Sequence, residues 1–193
     1  MIDQIIIGHM LGDGHIAKVR RGNSYFVIHR KAEHHQYNLW TKKVLLDNSI
    51  IVSNTYPKIR QSYGRNFPSS YLRTSRDKFW SEQRLSWYKD EQKILPREYI
   101  EKNFDNPSFL IWFLDDGDPQ GRISTDKFSR KDIIFLRKLI KQKYGIKFNI
   151  RHQYNRPQHN ILICLKKDRD RLLTIFRSTD VLIPCMSYKL NFK

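Results

Sequence analysis

The hydrophobic pattern of this chain marks it in two places. Residues 5–14, "IIIGHMLGDG", and residues 107–118, "PSFLIWFLDDGD", are its two densest apolar runs, and each ends in Asp-Gly. Phe109 to Leu114 are apolar on every side, so the second run predicts a short helix buried on all faces instead of an amphipathic surface helix. Asn106 is placed to cap it, Pro107 suits its first turn, and Gly117 can close its end. In the first run Gly8 and Gly12 lie four apart on one helix face, where another helix backbone can approach closely. The two runs are expected to pack on each other at the centre of the molecule. Asp13 and Asp116 stand 103 positions apart, about half the chain, which predicts an internal duplication.

The segments after each run support that reading. After Gly14 come the strand-like "HIAKV" and "SYFVIHRK", the helical "AEHHQYNLWTKKVLLDN", the strands "NTYPKIRQSY" and "SSYLRTS", and the helix "RDKFWSEQRLSWY". After Gly117 come "GRIST", the helical "SRKDIIFLRKLIKQKYG", the strands "KFNIRHQY" and "HNILICLK", and the helix "DRDRLLTIFRST". The second half is shorter, and its early hairpin is harder to see. "YGRNFPSS" and "NRPQHN" predict turn-rich connections between paired strands. The expected organisation is an α+β fold in two halves, 1–95 and 96–193, sharing one core.

Composition then narrows the partner. The chain has 36 Lys+Arg against 19 Asp+Glu, a net charge of +17, which points to a polyanion and most simply to nucleic acid. Apolar residues at 39% supply a packed core. No window reaches the length of apolar residues that a bilayer span requires, so no membrane partner is expected, and no secretory leader is read at the N-terminus. Cys164 and Cys185 form neither a disulfide framework nor a ligand cluster and are read as reduced thiols of an intracellular protein. His34-His35 and the histidines of "RHQYNRPQHN" fit no zinc spacing. Abundant Lys, Asn, Ile, Phe and Tyr suit an AT-rich genome such as that of an organelle.

The two runs carry a family resemblance. "IIGHMLGDG" (6–14) and "FLIWFLDDG" (109–117) align over nine positions, with the acidic residue eighth and glycine ninth. They resemble the paired signature motifs of LAGLIDADG homing endonucleases in their single-chain, pseudo-symmetric form. "KILP" (93–96) and "LIPCMSYKL" (182–190) resemble segments that supply basic active-site residues in the intron-encoded branch of that family. The resemblance covers essentially the whole chain. It implies a pseudo-twofold duplicated fold, with two antiparallel sheets forming a DNA-binding saddle around a central pair of helices. It implies a metal-dependent double-strand break with short 3′ overhangs in a long, nearly asymmetric target. Asp13 and Asp116 are then the catalytic acids, and Lys93 and Lys189 match lysines that lie near the metals, polarising water or stabilising developing charge. The second motif has Ile111 and Asp115 where the first has Gly8 and Gly12, and His9 is a polar intruder in an apolar helix, so an asymmetric helix interface is expected.

Elementary electrostatics agrees. A helix C-terminus already carries partial negative charge, so a carboxylate there is disfavoured, and two such ends side by side compound the cost. Divalent cations resolve it, with Asp13 and Asp116 as carboxylate ligands and nearby carbonyls, those of Gly12 and Asp115, completing the protein's share. Mg²⁺ suits a site with few protein ligands, and Mn²⁺ is expected to substitute. Asp118 reads as a loop residue before Pro119.

Recognition of DNA is expected from the strands. Alternation puts Asn149, Arg151 and Gln153 on one face of "KFNIRHQY" and Ile150, His152 and Tyr154 on the other. Lys58, Arg60 and Ser62 share a face of "PKIRQSY"; Tyr71, Arg73 and Ser75 share one of "YLRTS"; Arg122 and Ser124 share one of "GRIST". Arg, Asn and Gln can bond base edges in the major groove. The function expected is a site-specific, Mg²⁺-dependent DNA endonuclease acting as a monomer on double-stranded DNA. The alternatives are an RNA-binding maturase of the host intron, with or without nuclease activity, and a catalytically silent DNA-binding regulator on the same fold.

Overall fold

The protein is described from a computed structural model, which covers residues 2–62, 64–153 and 156–192. Its centre is the pair of apolar helices α1 (Ile2–Leu11) and α5 (Asn106–Asp116), whose residues Ile5–Leu11 and Ser108–Leu114 are buried throughout. They approach closely because Gly8 and Gly12 have no side chains. A Cβ at Gly8 would lie 2.6 Å from Ile111 Cβ, and one at Gly12 would collide with the Asp115 side chain. The cap of α5 sits one residue earlier than the sequence indicates. The Asp105 side chain accepts from the Ser108 amide, and the Ser108 hydroxyl accepts in return from the Asp105 amide at 3.4 Å, a reciprocal arrangement that Asn106 could not make. Gly117 ends α5 in an extended conformation, φ −87°, not a left-handed one, because it turns directly into a β-bridge with Ile123.

The first half wraps a four-stranded antiparallel sheet around this pair. Its strands are β1 (Gly14–Ala17), β2 (Tyr25–Lys31), β3 (Val52–Ser62) and β4 (Arg65–Thr74), in the order β1-β2-β4-β3. Helix α2 (His35–Asp47) links β2 to β3, and α3 (Lys78–Trp87) follows β4. A two-strand ribbon, β5 (Tyr88–Lys89) and β6 (Gln92–Lys93), and helix α4 (Arg97–Asn103) lead into α5. The second half forms a three-stranded antiparallel sheet from β7 (Arg122–Ser124), β8 (Phe148–Gln153) and β9 (Arg156–Cys164), in the order β7-β9-β8. Helix α6 (Arg130–Tyr144) precedes β8, α7 (Arg169–Arg177) follows β9, and a 3₁₀ segment, Pro184–Leu190, leads towards the end of the chain.

The register repeats between halves. Ile28 of β2 faces Gly14 and Leu72, and Ile123 of β7 faces Gly117 and Leu162. The early hairpin that is hard to see in the second half is therefore present as a single bridge. The inner faces of both sheets, through Ile28, Leu72, Ile123 and Leu162, join one continuous core with α1 and α5.

Two stretches expected as turns are strand. β4 begins at Arg65, inside "YGRNFPSS", and β9 begins at Arg156, inside "NRPQHN". β2 stops pairing with β4 at Ser69, so Pro68 lies where one side of β4 is open and its missing N–H leaves no ladder bond unmade. Tyr63 and Tyr154 lie outside the described residues. Among the described residues, no helix is long and apolar enough to cross a membrane.

Candidate functional site

The site lies where α1 and α5 end together. Helix C-termini leave carbonyls without intrahelical partners, and here three lysines cover the carbonyls at and just past the two ends. Lys93 Nζ donates to the Gly14 carbonyl at 2.9 Å, and Lys127 Nζ to that of Gly12 at 3.1 Å. Lys189 Nζ donates to the carbonyls of Leu114 at 2.6 Å and Asp115 at 2.9 Å. Lys93 and Lys189 are the lysines singled out in the sequence. Lys127 is an addition; it follows β7 in "STDKFSR", with no local signal to distinguish it among 36 basic residues.

The carboxylates sort into two kinds. Asp13 and Asp116 are crowded and ill at ease. Burial, and then the charge of Asp115, push Asp13 up to about 6 against the pull of Arg30, Lys127 and Lys189. Burial likewise takes Asp116 to about 7, with Asp13 and Asp115 adding to it and Lys127 and Lys189 opposing. Burial, reinforced by Lys127, brings Lys93 down to about 7. Asp115 is the reverse case. Burial alone would raise its pKa, but Arg30 and then His9 outweigh it and hold the carboxyl well below its ordinary value.

The Asp115 side chain is fully buried, and both its oxygens are committed. Oδ1 accepts from an Arg30 terminal nitrogen at 2.8 Å. Oδ2 accepts from the Asp13 amide at 3.2 Å and lies 3.0 Å from His9 Nδ1. Its carboxylate is therefore spent on partners within the protein, and its carbonyl is covered by Lys189. His9, the polar intruder, is explained by this carboxylate. Burial keeps its pKa low.

A testable consequence concerns stability. Asp13 and Asp116 have folded-state pKa values above those of the unfolded chain, so they oppose folding increasingly as pH rises from about 4 through 7. In chelator, Asp13→Asn/Asp116→Asn is expected to stabilise the protein by about 2–4 kcal/mol at pH 8, discounted because Asp13 remains partly open to solvent. At pH 4 the effect should nearly vanish. Melting curves at the two pH values decide it; equal shifts at both would mean that ionisation is not the source of the strain.

Each of these two acids opens onto one sheet. Asp13 lines a cavity of about 570 Å³ together with His29, Lys31, Ser69 and Lys189. Asp116 lines one of about 320 Å³ together with Arg122, Ser124, Arg151 and His152. The pairings place Lys58 beside Ser69, Arg73 beside Val27, and Tyr71 between His29 and Tyr56 on the open face of the first sheet. The His29 and Tyr71 rings are 4.5 Å apart edge to face, and Arg73 stacks over Tyr25 at 4.1 Å. On the second sheet Asn149 and Arg151 are exposed, with Arg122 and Ser124 on the far strand of the same face. Ser75 lies just past β4, its amide bonded to the Ile51 carbonyl at 2.8 Å. Arg60, Ser62 and Gln153 fall within β3 and β8, but their side chains lie outside the described residues. Sequence reasoning misses His29 and Lys31, although their alternation with buried Ile28 and Arg30 is an available signal.

Comparison with known proteins places this geometry. The chain is 32% identical over 110 residues to the intron-encoded endonuclease ai4 of Dictyostelium discoideum, covering 55% of this chain and 67% of that one. It is 30% identical over 200 residues to the cytochrome b mRNA maturase bI2 of Saccharomyces cerevisiae, covering 97% of this chain; this chain spans 46% of that protein's length. Among solved structures it is similar to the homing endonuclease I-WcaI bound to its DNA recognition sequence, with a TM-score of 0.78 at 19% identity, covering 99% of this chain and 86% of that one. I-DmoI in complex with DNA and Mn superposes with a TM-score of 0.60 at 15% identity, over 93% of this chain and 98% of that one. These likenesses establish the fold. The LAGLIDADG DNA endonuclease family matches residues 3–171, nearly the whole length, and the chain belongs to that family.

Proposed function

We propose that this chain is a site-specific homing endonuclease that makes a double-strand break in a long, nearly asymmetric DNA target and depends on Mg²⁺, with Mn²⁺ able to replace it. The observation that carries this reading is that Asp13 and Asp116, at the neighbouring ends of α1 and α5, each open onto the polar face of a different sheet. A duplex lying across both sheets would present one phosphodiester to each carboxylate.

The donors fit a hard divalent cation. Asp13 and Asp116 supply carboxylates, and the carbonyls of Gly12 and Asp115, now covered by Lys127 and Lys189, supply further oxygens. Among the described residues, no three His, Cys, Asp or Glu side chains gather into a self-sufficient metal site. That suits an ion which keeps waters and takes phosphate oxygens. Such an ion activates water and neutralises charge on the phosphate. The chain's own part is to hold the two carboxylates, to bring Lys127 and Lys189 beside the phosphate charge, and to exchange a proton at Lys93 Nζ, whose pKa of about 7 suits that task.

The α1–α5 contact is complete within one chain, which supports action as a monomer. Likeness to an intron-encoded endonuclease supports an origin in an intron, and abundant Lys, Asn, Ile, Phe and Tyr, which suit an AT-rich genome, support an organellar one. The maturase likeness favours a second reading, an RNA-binding splicing factor on the same fold. Incubating the protein with a duplex selected from a randomised library, and separately with the host intron RNA, with and without Mg²⁺, distinguishes them. Binding of the intron RNA with no cut duplex would sink the nuclease reading.

Recognition has its own test. Arg151→Ala is expected to lose about 1–3 kcal/mol on the target and to relax preference at one base pair. Lys141→Ala, on the exposed side of α6, should change cognate and random binding alike or change neither. A panel of single-base target changes reads both. Uniform loss from Arg151→Ala would make that arginine a phosphate anchor only.

A further inference from the structure

The repeated register sets the halves against each other residue by residue. Arg30 lies two positions beyond Ile28, and Thr125 lies two beyond Ile123. On the central helices His9 matches Trp112, and Gly12 matches Asp115. The buried cluster of His9, Arg30 and Asp115 therefore corresponds to Trp112, Thr125 and Gly12 in the other half, where the same places carry no charge. Thr125 instead donates its hydroxyl to the Asn160 carbonyl at 2.6 Å.

Arg30 is held from several sides. Its side chain is 1% exposed. One terminal nitrogen donates to Asp115 Oδ1 and the other to Asn38 Oδ1, and the guanidinium lies 3.8 Å over the Tyr37 ring. Asn38 is itself fixed by donating to the Ser70 hydroxyl at 2.7 Å. One donor remains unspent. Arg30 Nε has no hydrogen-bond partner among the described residues, and it stands 3.7 Å from Asp13 Oδ2. A buried donor left open is costly unless something uses it. The group it faces is the carboxylate of Asp13, which is 32% exposed.

We propose that Arg30 is a positioning residue for Asp13 alone, aiming that carboxylate through Nε, so that cleavage of one DNA strand depends on it and cleavage of the other does not. Asp115 serves by holding Arg30, not by binding an ion through its carboxylate. This rests on the nuclease reading of Asp13 and Asp116. The cations acting on Asp116 include Lys93, Lys127 and Lys189, which carry no planar fork to fix an orientation.

Removing Arg30 alone would leave Asp115 charged and unpaired in the interior. The double variant Arg30→Met/Asp115→Asn removes both charges together, which buried ion pairs tolerate far better, and the carboxamide oxygen introduced at position 115 can still accept from the Asp13 amide. The experiment labels each strand of the selected target duplex separately and follows single-turnover cutting in Mg²⁺. Nicked duplex should accumulate, with one strand slowed on the order of tenfold to a hundredfold and the other within about twofold. Arg30→Lys keeps the buried charge but has no Nε, and should show the same one-strand defect. A readout without catalysis is Mn²⁺ uptake by the protein, followed through the resonance of the free ion, which should weaken for one ion in the double variant. Equal slowing of both strands, wild-type strand rates in Arg30→Lys, or unchanged Mn²⁺ uptake would each overturn the role of Arg30. A wild-type chain that cuts neither strand would instead sink the nuclease reading itself.

Discussion

Asp13→Asn and Asp116→Asn are each expected to lower cleavage on the order of a thousandfold or more, while leaving affinity for DNA intact. The change is nearly isosteric, so the helix ends keep their shape. What is lost is the anionic ligand, and an amide oxygen is a poor replacement at a hard cation. Binding should not suffer, because both carboxylates repel phosphate. Burial first, and then neighbouring carboxylates, already raise the pKa of both. Asp13→Asn should also lower the pKa of Asp116, since the charge of Asp13 is one of the causes that raise it. The measurement is cutting of a labelled target in Mg²⁺, with dissociation constants in chelator at several salt concentrations. If either variant cuts at close to the wild-type rate, the two-carboxylate mechanism is wrong.

Gly8→Asp should unfold the protein. A Cβ at this position would lie 2.6 Å from Ile111 Cβ and 2.8 Å from the backbone oxygen of Ser108. Ile111 Cβ is fixed by its own helix backbone and the carbonyl belongs to the same helix, so neither can move aside. The variant would also bury a carboxylate against the Ile111 side chain and the Ser108 carbonyl, neither of which can compensate its charge. Forced separation of the helices and an unpaired buried charge together exceed about 5 kcal/mol, as much as many domains of this size have to lose. Circular dichroism at 25 °C is expected to show a largely unfolded chain. A cooperative melt near the wild-type Tm would mean that α1 and α5 do not meet as described, and the shared core would have to be redrawn.

The central helices are legible in the sequence because nothing local competes with them. An apolar run too short for a membrane and apolar on all sides has only the middle of the protein to occupy. The cap of α5 is not, because Asp105 and Asn106 are both good caps, and only the reciprocal bond with Ser108 chooses between them. The tips of β4 and β9 read as turns because Pro68, Pro157 and their polar neighbours look like punctuation, whereas pairing with β3 and β8 carries the strands through. Helix α4 and the 3₁₀ segment near the end escape notice because they are short and bury few residues, Ile100 in the first, Met186 and Lys189 in the second. The acids Asp13 and Asp116 are readable from their repetition. Arg30 and Lys127 are not, because what gives them meaning is contact across 85 residues in one case and 115 in the other. No periodicity encodes that.

The shortened hairpin of the second half bears on how a target could change over time. Among the described residues, β3 and β4 run for 11 and 10 residues, whereas β8 and β9 run for 6 and 9. At about 3.3 Å per residue, β3 reaches roughly 36 Å and β8 roughly 20 Å, which against the roughly 3.4 Å rise of a base pair is about ten steps on one side and about six on the other. On the nuclease reading, a point change in the host gene then meets the protein unequally. At the end facing the first sheet it meets more side chains and abolishes more contacts; at the other end fewer are lost, and an altered site can still be invaded. Spread to neighbouring genomes should therefore leave a lopsided record, with target sequences held constant on one side of the cut and drifting on the other.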